Sequence, residues 1–446
     1  MKLFGTDGIR GPFGKFPMDT DTIRKIGLAI SRVLHKNIKT IYIAHDGRES
    51  FKLIYENLLG GILLERTFTI KYLGMLSTPA LPYLLSRNKN QDSIGIQITA
   101  SHNPYYDNGI KLFDQDGYKI SQNTEKAIEE IVHTQDNLQT KHEYNFRVDQ
   151  SSVNLYLDYL SEKLISNIKF TKQLNIAVDC SNGALSNIFS LLRLPNNISF
   201  IPLSNNPDGR NINHNCGAVC PENLSQFIIE NNIKKNREKR IDFGIAFDGD
   251  GDRAILVSNS GRVLDGDEIL YILSTSNLPI TSTIVGTVMT NFGIRTNFDK
   301  LGYNFVETSV GDKNVLEGII LNNAEIGSES SGHVIHTDLN FIPIGDAMVT
   351  LIKIIHLLER SSLTIDEIYP DSLKIPSKLI NIEVSDTASW IKKNIVNFKK
   401  IEEILNEDGR IFVRESGTQP LVRILIEHKS DDILSKAKEI IDNIIQ

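Results

Sequence analysis

Residues 99–113 read TASHNPYYDNGIKLF, a serine beside a histidine with a lysine ten residues on. A hydrolase nucleophile would sit in a G-x-S-x-G elbow, which ITASHNP lacks. A second run, DGDGDR at 248–253, alternates three carboxylates with glycines, which let the backbone turn tightly enough for Asp248, Asp250 and Asp252 to converge. Oxygen-only donors of this kind suit a hard cation, Mg²⁺ or Mn²⁺, with positions left for a phosphate. An EF-hand loop also begins D-x-D-x-D, but its sixth position here is Arg253 and its twelfth Asn259, and the flanks read as strands. An acidic hairpin turn is the plain alternative; three aspartates in register followed by arginine favour a site. Taken with the aspartates, Ser101 reads as an oxygen that carries a phosphoryl group while the cation neutralises its charge. Lys111 is then a proton shuttle or a charge partner.

Further loops carry related chemistry. GSESSGH (327–333) offers Glu329, Ser331 and His333, a set suited to sugar hydroxyls, or else a solvated loop. In RESGTQPLVR (414–423), Arg414, Ser416, the N–H groups around Gly417, Thr418 and Arg423 can form a nest for a dianion, or an ordinary polar hairpin turn. GTDGIRG near the start places Arg10 on another glycine-rich loop.

The elements that must hold these residues follow from periodicity. GIQIT before Ser101 alternates with β-branched residues and reads as a strand, which Asn103-Pro104 stops, so Ser101 lies just past a strand's carboxyl end, where open α/β sheets bind ligands. TDTIRKIGLAISRVL and KLIYENLLGGILLE read as helices, TIYIAHD and SIGIQIT as strands; that rhythm predicts parallel strands with crossover helices. The polar stretch 133–150 reads as a linker. A second α/β unit runs from LNIAVDCSNG to the strands DFGIAF and AILVS. A third opens with EILYILS and TIVGTV and closes on an apolar helix near residue 350. Beyond ERSSLTIDEIYPDS the pattern becomes α+β: RIFVRES and LVRILIEHK as two strands joined by a turn, then a terminal helix. The expected domains are 1–140, 150–257, 258–362 and 370–446.

Bulk properties bound the function. With 446 residues the chain exceeds one core, and its net charge of -7 argues against nucleic-acid binding. Any anionic substrate must therefore meet a local cation cluster. The most apolar segment, 341–358, carries Pro343, Asp346 and Lys353 and reads as a buried helix rather than a membrane span. Cys180, Cys216 and Cys220 are odd in number and lack paired spacing, so small buried thiols in a reducing cytoplasm are expected.

These loops, in this order, resemble the signatures of the α-D-phosphohexomutase superfamily: GTDGIRG, TASHNPYYDNGIK, NPDGRNIN at 206–213, GIAFDGDGDR, the SGHV of GSESSGHV, and SGTQPLVR. The resemblance covers essentially the whole chain. It implies an α/β architecture of four domains around one cleft, three related α/β domains with mixed sheets and a smaller α+β C-terminal domain. It implies that Ser101 is the phosphoserine and joins Asp248, Asp250 and Asp252 around one Mg²⁺. Arg10, His102, Lys111 and Arg253 become catalytic groups, Glu329, Ser331 and His333 contact the sugar, and 414–423 grips the phosphate that does not react. The branch it points to acts on glucosamine phosphates: phospho-Ser101 donates to glucosamine 6-phosphate, and the 1,6-bisphosphate reorients and returns its 6-phosphate to the serine. Glucosamine or glucose 1,6-bisphosphate is the implied activator, UDP-N-acetylglucosamine for the bacterial cell wall the destination, and a homodimer the assembly. Neither nucleic acid nor membrane is a partner. A phosphomannomutase or phosphoglucomutase using the same loops, a Mg²⁺-dependent phosphatase, and a phosphosugar-binding regulator are the competing readings. Gln419, Glu415, Ser328 and Lys313-Asn314 depart from the family pattern, and none removes a catalytic group.

Overall fold

The computed structural model describes residues 2–5, 7–136, 138, 144, 146–165, 170–236, 239–275, 283–337, 344–415 and 420–445. The first sheet comprises β1 (Ile9–Pro12), β2 (Thr40–His45), β3 (Thr69–Met75), β4 (Ser93–Ile98) and β5 (Asp107–Phe113), in the order β1-β5-β4-β2-β3. β2 pairs parallel with both β3 and β4, and the connections carry the helices Phe51–Ile62 and Ala80–Ser86. β5, however, runs antiparallel to β4, and β1 antiparallel to β5. Helix–strand rhythm alone predicted parallel strands; the sheet is mixed, as the resemblance implied. Only residues 99–106 separate β4 from β5, too few for a crossover, so the chain must reverse there.

This reversal recurs. β6 (Leu174–Asp179), β7 (Ile198–Leu203), β8 (Phe243–Phe247), β9 (Ala254–Ser258) and β10 (Val263–Leu264) form a sheet of order β10-β9-β8-β6-β7. β11 (Thr283–Thr287), β12 (Asn304–Thr308), β13 (Ile326–Ser328) and β14 (Val334–His336) form another, of order β12-β11-β13-β14. In each, one strand pairs parallel on one side (β8 on β6, β13 on β11) and antiparallel with its chain successor on the other. The reversing connections are 248–253 and 329–333, the aspartate loop and the GSESSGH loop. The fourth sheet, β15 (Ser377–Glu383), β16 (Gly409–Glu415) and β17 (Leu421–His428), is antiparallel throughout in the order β15-β17-β16. β16 and β17 are the two strands read from RIFVRES and LVRILIEHK; β15 was not read, because only one of its seven residues is buried.

One apolar cluster runs from Leu81 and Phe113 through Ile176 and Phe247 to Ile284 and Met348, so the first three units share a core. The fourth has its own around Phe398, Ile424 and Ile441. The helix read near residue 350 is Ala347–Arg360, begun by Asp346, which accepts from the N–H groups of Met348 and Val349. The helix Gln150–Ile165 went unread, since its buried face includes Ser152 and Ser161 while Leu155 stands exposed on the other, which blurs the apolar period. All three cysteines are free, and Cys180 and Cys216 are buried. Among the described residues no helix is long and apolar enough to cross a membrane.

The helix Thr20–Val33, capped by Asp19, crosses Phe51–Ile62 at glycines: a Cβ on Gly27 would lie 2.1 Å from the Leu58 oxygen, and one on Gly61 2.0 Å from that of Arg24. Gly27→Val must force these helices apart, and overpacking of this kind costs about 1–3 kcal/mol. The expected result is a lower urea midpoint with unchanged divalent-cation affinity, read by denaturant titration and calorimetry.

Candidate active site

Ser101 follows β4 with its backbone in the left-handed region, φ +54°, where a side chain is disfavoured. Its surroundings over-determine that conformation. The Ser101 N–H donates to Thr99 Oγ1 at 2.8 Å, and Thr99 Oγ1 donates to Asp46 Oδ2 at 2.6 Å. Arg48, fully buried and ion-paired with Asp46 at 2.9 Å, donates to the carbonyls of Ser101 (2.8 Å), Asn103 (2.9 Å) and Asp107 (3.0 Å) and to that of Pro104. The hydroxyl thus held donates to Asp248 Oδ2 at 2.7 Å, with His102 Nδ1 3.3 Å away. Burial, with Arg253 and Arg10 nearby, pulls His102 down to about 4, so it is neutral near pH 7.

The aspartate loop turns through Gly251 at φ +72°, and Asp248 Oδ1 accepts the N–H groups of Asp252 and Arg253, both at 3.1 Å. Asp248, Asp250 and Asp252 are buried, and each offers an oxygen within 4.8 Å of the others. Lys111 on β5 reaches across from the first unit to Asp250 (2.8 Å) and Asp252 (2.9 Å), and Thr78 Oγ1 donates to Asp250 at 2.5 Å. Two buried oxygens, Asp250 Oδ1 and Asp252 Oδ1, have no hydrogen-bond partner among the described residues. Buried orphan carboxylate oxygens converging in an oxygen-only set fit a hard divalent cation. Burial and the charges of Asp252 and Asp250 push the Asp248 carboxyl well above the usual range. Burial works against Asp252 too, but Lys111, His333 and Arg253 hold it well below. Lys111, despite burial, is kept protonated by Asp250, Asp252 and Asp7.

Charges from three units close a ring around this cluster. Asp7, in GTDGIRG, meets Lys111 at 3.0 Å, Lys119 at 2.5 Å, and Arg10. Lys119 in turn pairs with Asp312 at the start of the helix Asp312–Asn322. His333 lies between Asp252 (Nδ1, 3.8 Å) and Asp312 (Nε2, 4.0 Å). Gly345 makes room for that ring, since a Cβ there would stand 2.3 Å from His333 Nε2. The Gly332 carbonyl accepts the N–H of Ala254 at 2.9 Å, which seats the GSESSGH loop against Arg253. Glu329 Oε1 accepts from the Gly311 N–H at 2.8 Å, while Ser331 Oγ and Arg253 Nε are buried without a hydrogen-bond partner.

The structure therefore brings Ser101, His102, Lys111, Arg10, Arg253 and His333 around the aspartates, with Glu329 and Ser331 on the adjoining loop. Arg414 and Arg423 stand elsewhere, directly opposite each other on β16 and β17. Both Nε atoms are buried without a partner, and burial together with the facing Arg423 cation lowers Arg414. Like charges opposed across strands destabilise a sheet unless an anion joins them. Ser416, Gly417 and Thr418 lie outside the described residues. Sequence reasoning singled out neither Asp46, Arg48, Asp7, Lys119, Asp312 nor Asn213. Asp7 and Asn213 do fall inside quoted motifs, but an isolated Lys119 or Asp312 carries no local signal.

This geometry, a buried serine beside three carboxylates and their cations between α/β units, can be set beside known proteins. The chain matches, in order, phosphoglucomutase/phosphomannomutase alpha/beta/alpha domain I over residues 1–139, domain II over 154–261, domain III over 265–374 and the C-terminal domain over 379–444. A phosphoglucosamine mutase of Solibacter usitatus is 36% identical, over 95% of this chain and 94% of that protein. One from Limosilactobacillus reuteri is 34% identical over 100% and 98%. A crystal structure of a phosphoglucomutase/phosphomannomutase family protein from Burkholderia thailandensis superposes with a TM-score of 0.77 at 22% identity, covering 99% of this chain and 96% of that one. The chain belongs to the phosphoglucomutase/phosphomannomutase family, and it is a phosphohexose mutase.

Burial and the neighbouring carboxylates favour the protonated form of Asp248, and a divalent cation would compete with that proton. Mg²⁺ binding is expected to release a proton and to weaken as pH falls below the raised Asp248 value. Calorimetry in two buffers of different ionisation enthalpy reads this directly, and Asp250→Asn is expected to lower Mg²⁺ affinity at least tenfold while the fold persists.

Proposed function

We propose that the protein interconverts glucosamine 6-phosphate and glucosamine 1-phosphate, with Ser101 as the group that carries the phosphoryl between them. The observation that carries this reading is the Ser101 hydroxyl 2.7 Å from Asp248 inside a buried aspartate cluster neutralised by Lys111. Asp248, Asp250 and Asp252 hold Mg²⁺, which when bound supplies charge neutralisation at the phosphoryl oxygens. As the sugar oxygen's bond to phosphorus forms, the bond to Ser101 Oγ breaks; in the second half the same exchange runs in reverse from the other phosphate of the 1,6-bisphosphate. The chain's residues position and neutralise. Lys111, held protonated, acts as a charge partner to the transferring group rather than as a base. Arg253, with its unpartnered Nε, and Arg10, which reaches the Ala100 carbonyl at 3.4 Å, face the same space. His102 stands neutral beside the hydroxyl, available to take a proton.

The sugar is read by the GSESSGH loop, where Glu329, oriented by Gly311, meets the ammonium at C2, and Ser331 and His333 meet hydroxyls. Arg414 and Arg423 share the non-reacting phosphate, which relieves their mutual repulsion. A bisphosphate charges Ser101 after any accidental hydrolysis. Support for glucosamine comes from the relatives' names at 34–36% identity over 95–100% of the chain.

Turnover of glucosamine 6-phosphate is expected to exceed that of glucose or mannose 6-phosphate at least tenfold in kcat/KM, equivalent to about 1.4 kcal/mol. Equal values in a coupled assay with a supplied bisphosphate would move the assignment to a phosphogluco- or phosphomannomutase. A charge-assisted hydrogen bond is worth about 1.5–3 kcal/mol, so Arg423→Ala should lower kcat/KM roughly ten- to a hundredfold. Peptide mass analysis should place a phosphate on Ser101, and Ser101→Ala should abolish turnover.

A further inference from the structure

The loop 206–213, NPDGRNIN, has no part in the chemistry described above, yet it reaches the reacting serine. The loop is braced internally: Asp208 Oδ1 accepts the N–H groups of Arg210 (2.8 Å) and Asn211 (2.9 Å), and Asn211 Nδ2 donates to the Asn206 carbonyl at 3.0 Å. It is tied to the first unit by the Glu49 N–H, which donates to the Gly209 carbonyl at 3.0 Å, and by the Arg210–Glu49 ion pair at 2.6 Å. At its end Asn213 takes a left-handed backbone, φ +56°, and is 8% exposed. Its N–H donates to the Ser181 carbonyl at 2.9 Å, and its Oδ1 lies 3.1 Å from the Ser181 hydroxyl, which also donates to the carbonyl of Phe247, the residue before Asp248. The Asn213 amide then donates both its hydrogens to the serine loop, to the Ser101 carbonyl at 2.8 Å and the Asn103 carbonyl at 3.0 Å. The fit leaves no slack. A Cβ on Gly249, between Asp248 and Asp250, would lie 2.7 Å from the Ser101 oxygen and 2.9 Å from Asn213 Nδ2.

We propose that Asn213 is a positioning residue for phosphoryl transfer: its amide pins the serine loop of the first unit to the aspartate loop of the second and so sets Ser101 Oγ against Asp248. This rests on the phosphoserine reading given above. Arg48 holds the Ser101 carbonyl from the first unit, but its other partners, Asp46 and the carbonyls of Asn103, Pro104 and Asp107, belong to that same unit. Among the described side chains that hold the Ser101 carbonyl, Asn213 is the one that comes from the second unit, which carries the aspartates. Misplacement of a reacting group by about 1 Å can cost a hundredfold in rate, and the loss should fall on transfer, not on sugar binding.

The test uses the full-length protein with Mg²⁺. Asn213→Asp keeps the shape and tolerates the left-handed backbone but turns a donor into an acceptor facing two carbonyls. Asn213→Gly removes the amide without adding charge. Both are expected to lower kcat roughly ten- to a hundredfold with KM for the sugar phosphate within about threefold. Both should also raise the ratio of inorganic phosphate released to sugar phosphate transferred, because a displaced phosphoserine meets water as readily as sugar. Arg210→Ala, which loosens the same loop at its exposed ion pair, should leave kcat and that ratio as in the parent protein. Folded, Mg²⁺-binding Asn213 variants with kcat within twofold of the parent overturn the proposal. So does a loss in which transfer and phosphate release fall together, or an equal loss in Arg210→Ala. An active parent protein with unaffected variants overturns the role of Asn213 alone; a parent without phospho-Ser101 turnover overturns the functional reading with it.

Discussion

Three carboxylates buried with oxygens within 4.8 Å of one another repel strongly, and their own loop supplies only two backbone N–H groups to Asp248 and the cation of Arg253. Charges out of water must be paired, or they shift towards neutrality. Relief comes from outside the unit. Lys111 arrives on the strand after the serine loop, and His333 arrives from the third unit. Asp7 then pairs with both Lys111 and Lys119, and Lys119 in turn with Asp312. The closed arrangement of three units is therefore an electrostatic requirement of one six-residue loop as well as a packing result. A phosphoryl group on Ser101 would add about two negative charges, which a divalent cation in the aspartate set would offset, so the ring need not be rebuilt during turnover.

Topology supplies the other half. In each of three sheets a short connection forces the chain to reverse beside a parallel strand, and each reversal carries one functional loop: 99–106, 248–253 and 329–333. Such loops lie beyond the carboxyl ends of parallel strands, where α/β sheets expose side chains and backbone groups to ligands. A fourth loop joins the antiparallel β16 and β17, so its arginines face one another across a ladder. The first three units share a core, while the fourth packs separately, and it meets the third through polar contacts such as Asn291 with Glu427 and Arg410 with the Thr290 carbonyl.

Backbone strain has been placed where it serves geometry. Ser101 and Asn213 both adopt positive φ without being glycine. Each conformation is held by buried hydrogen bonds from a neighbouring loop, and in each case it aims a side chain across the boundary between the first and second units. Gly249 permits the approach, since any side chain there would strike the Ser101 carbonyl.

Ser101, the aspartate triplet, Lys111 and His333 were legible in the sequence because their chemistry is written locally: residue type, spacing, and a strand on at least one side. Of the reversing strands, β9 was legible as a strand but not in direction, because periodicity of two is the same for either sense, while β5 and β14 were not read. Helix Gln150–Ile165 and strand β15 escaped because serines on the buried face and a leucine on the exposed one, or exposure of most positions, obscure the apolar period that reveals an element. Arg48, Asp7, Lys119, Asp312 and Asn213 could not be assigned a task from sequence at all. Their meaning is the partner they meet, and those partners include groups 53 to 193 residues away along the chain. The sequence by itself determined which groups could carry phosphoryl, cation and sugar, since that depends on side-chain chemistry. Tertiary structure decided which of them share one charge-balanced cluster and how the serine is aimed, because electrostatic and hydrogen-bond energies depend on distance through space.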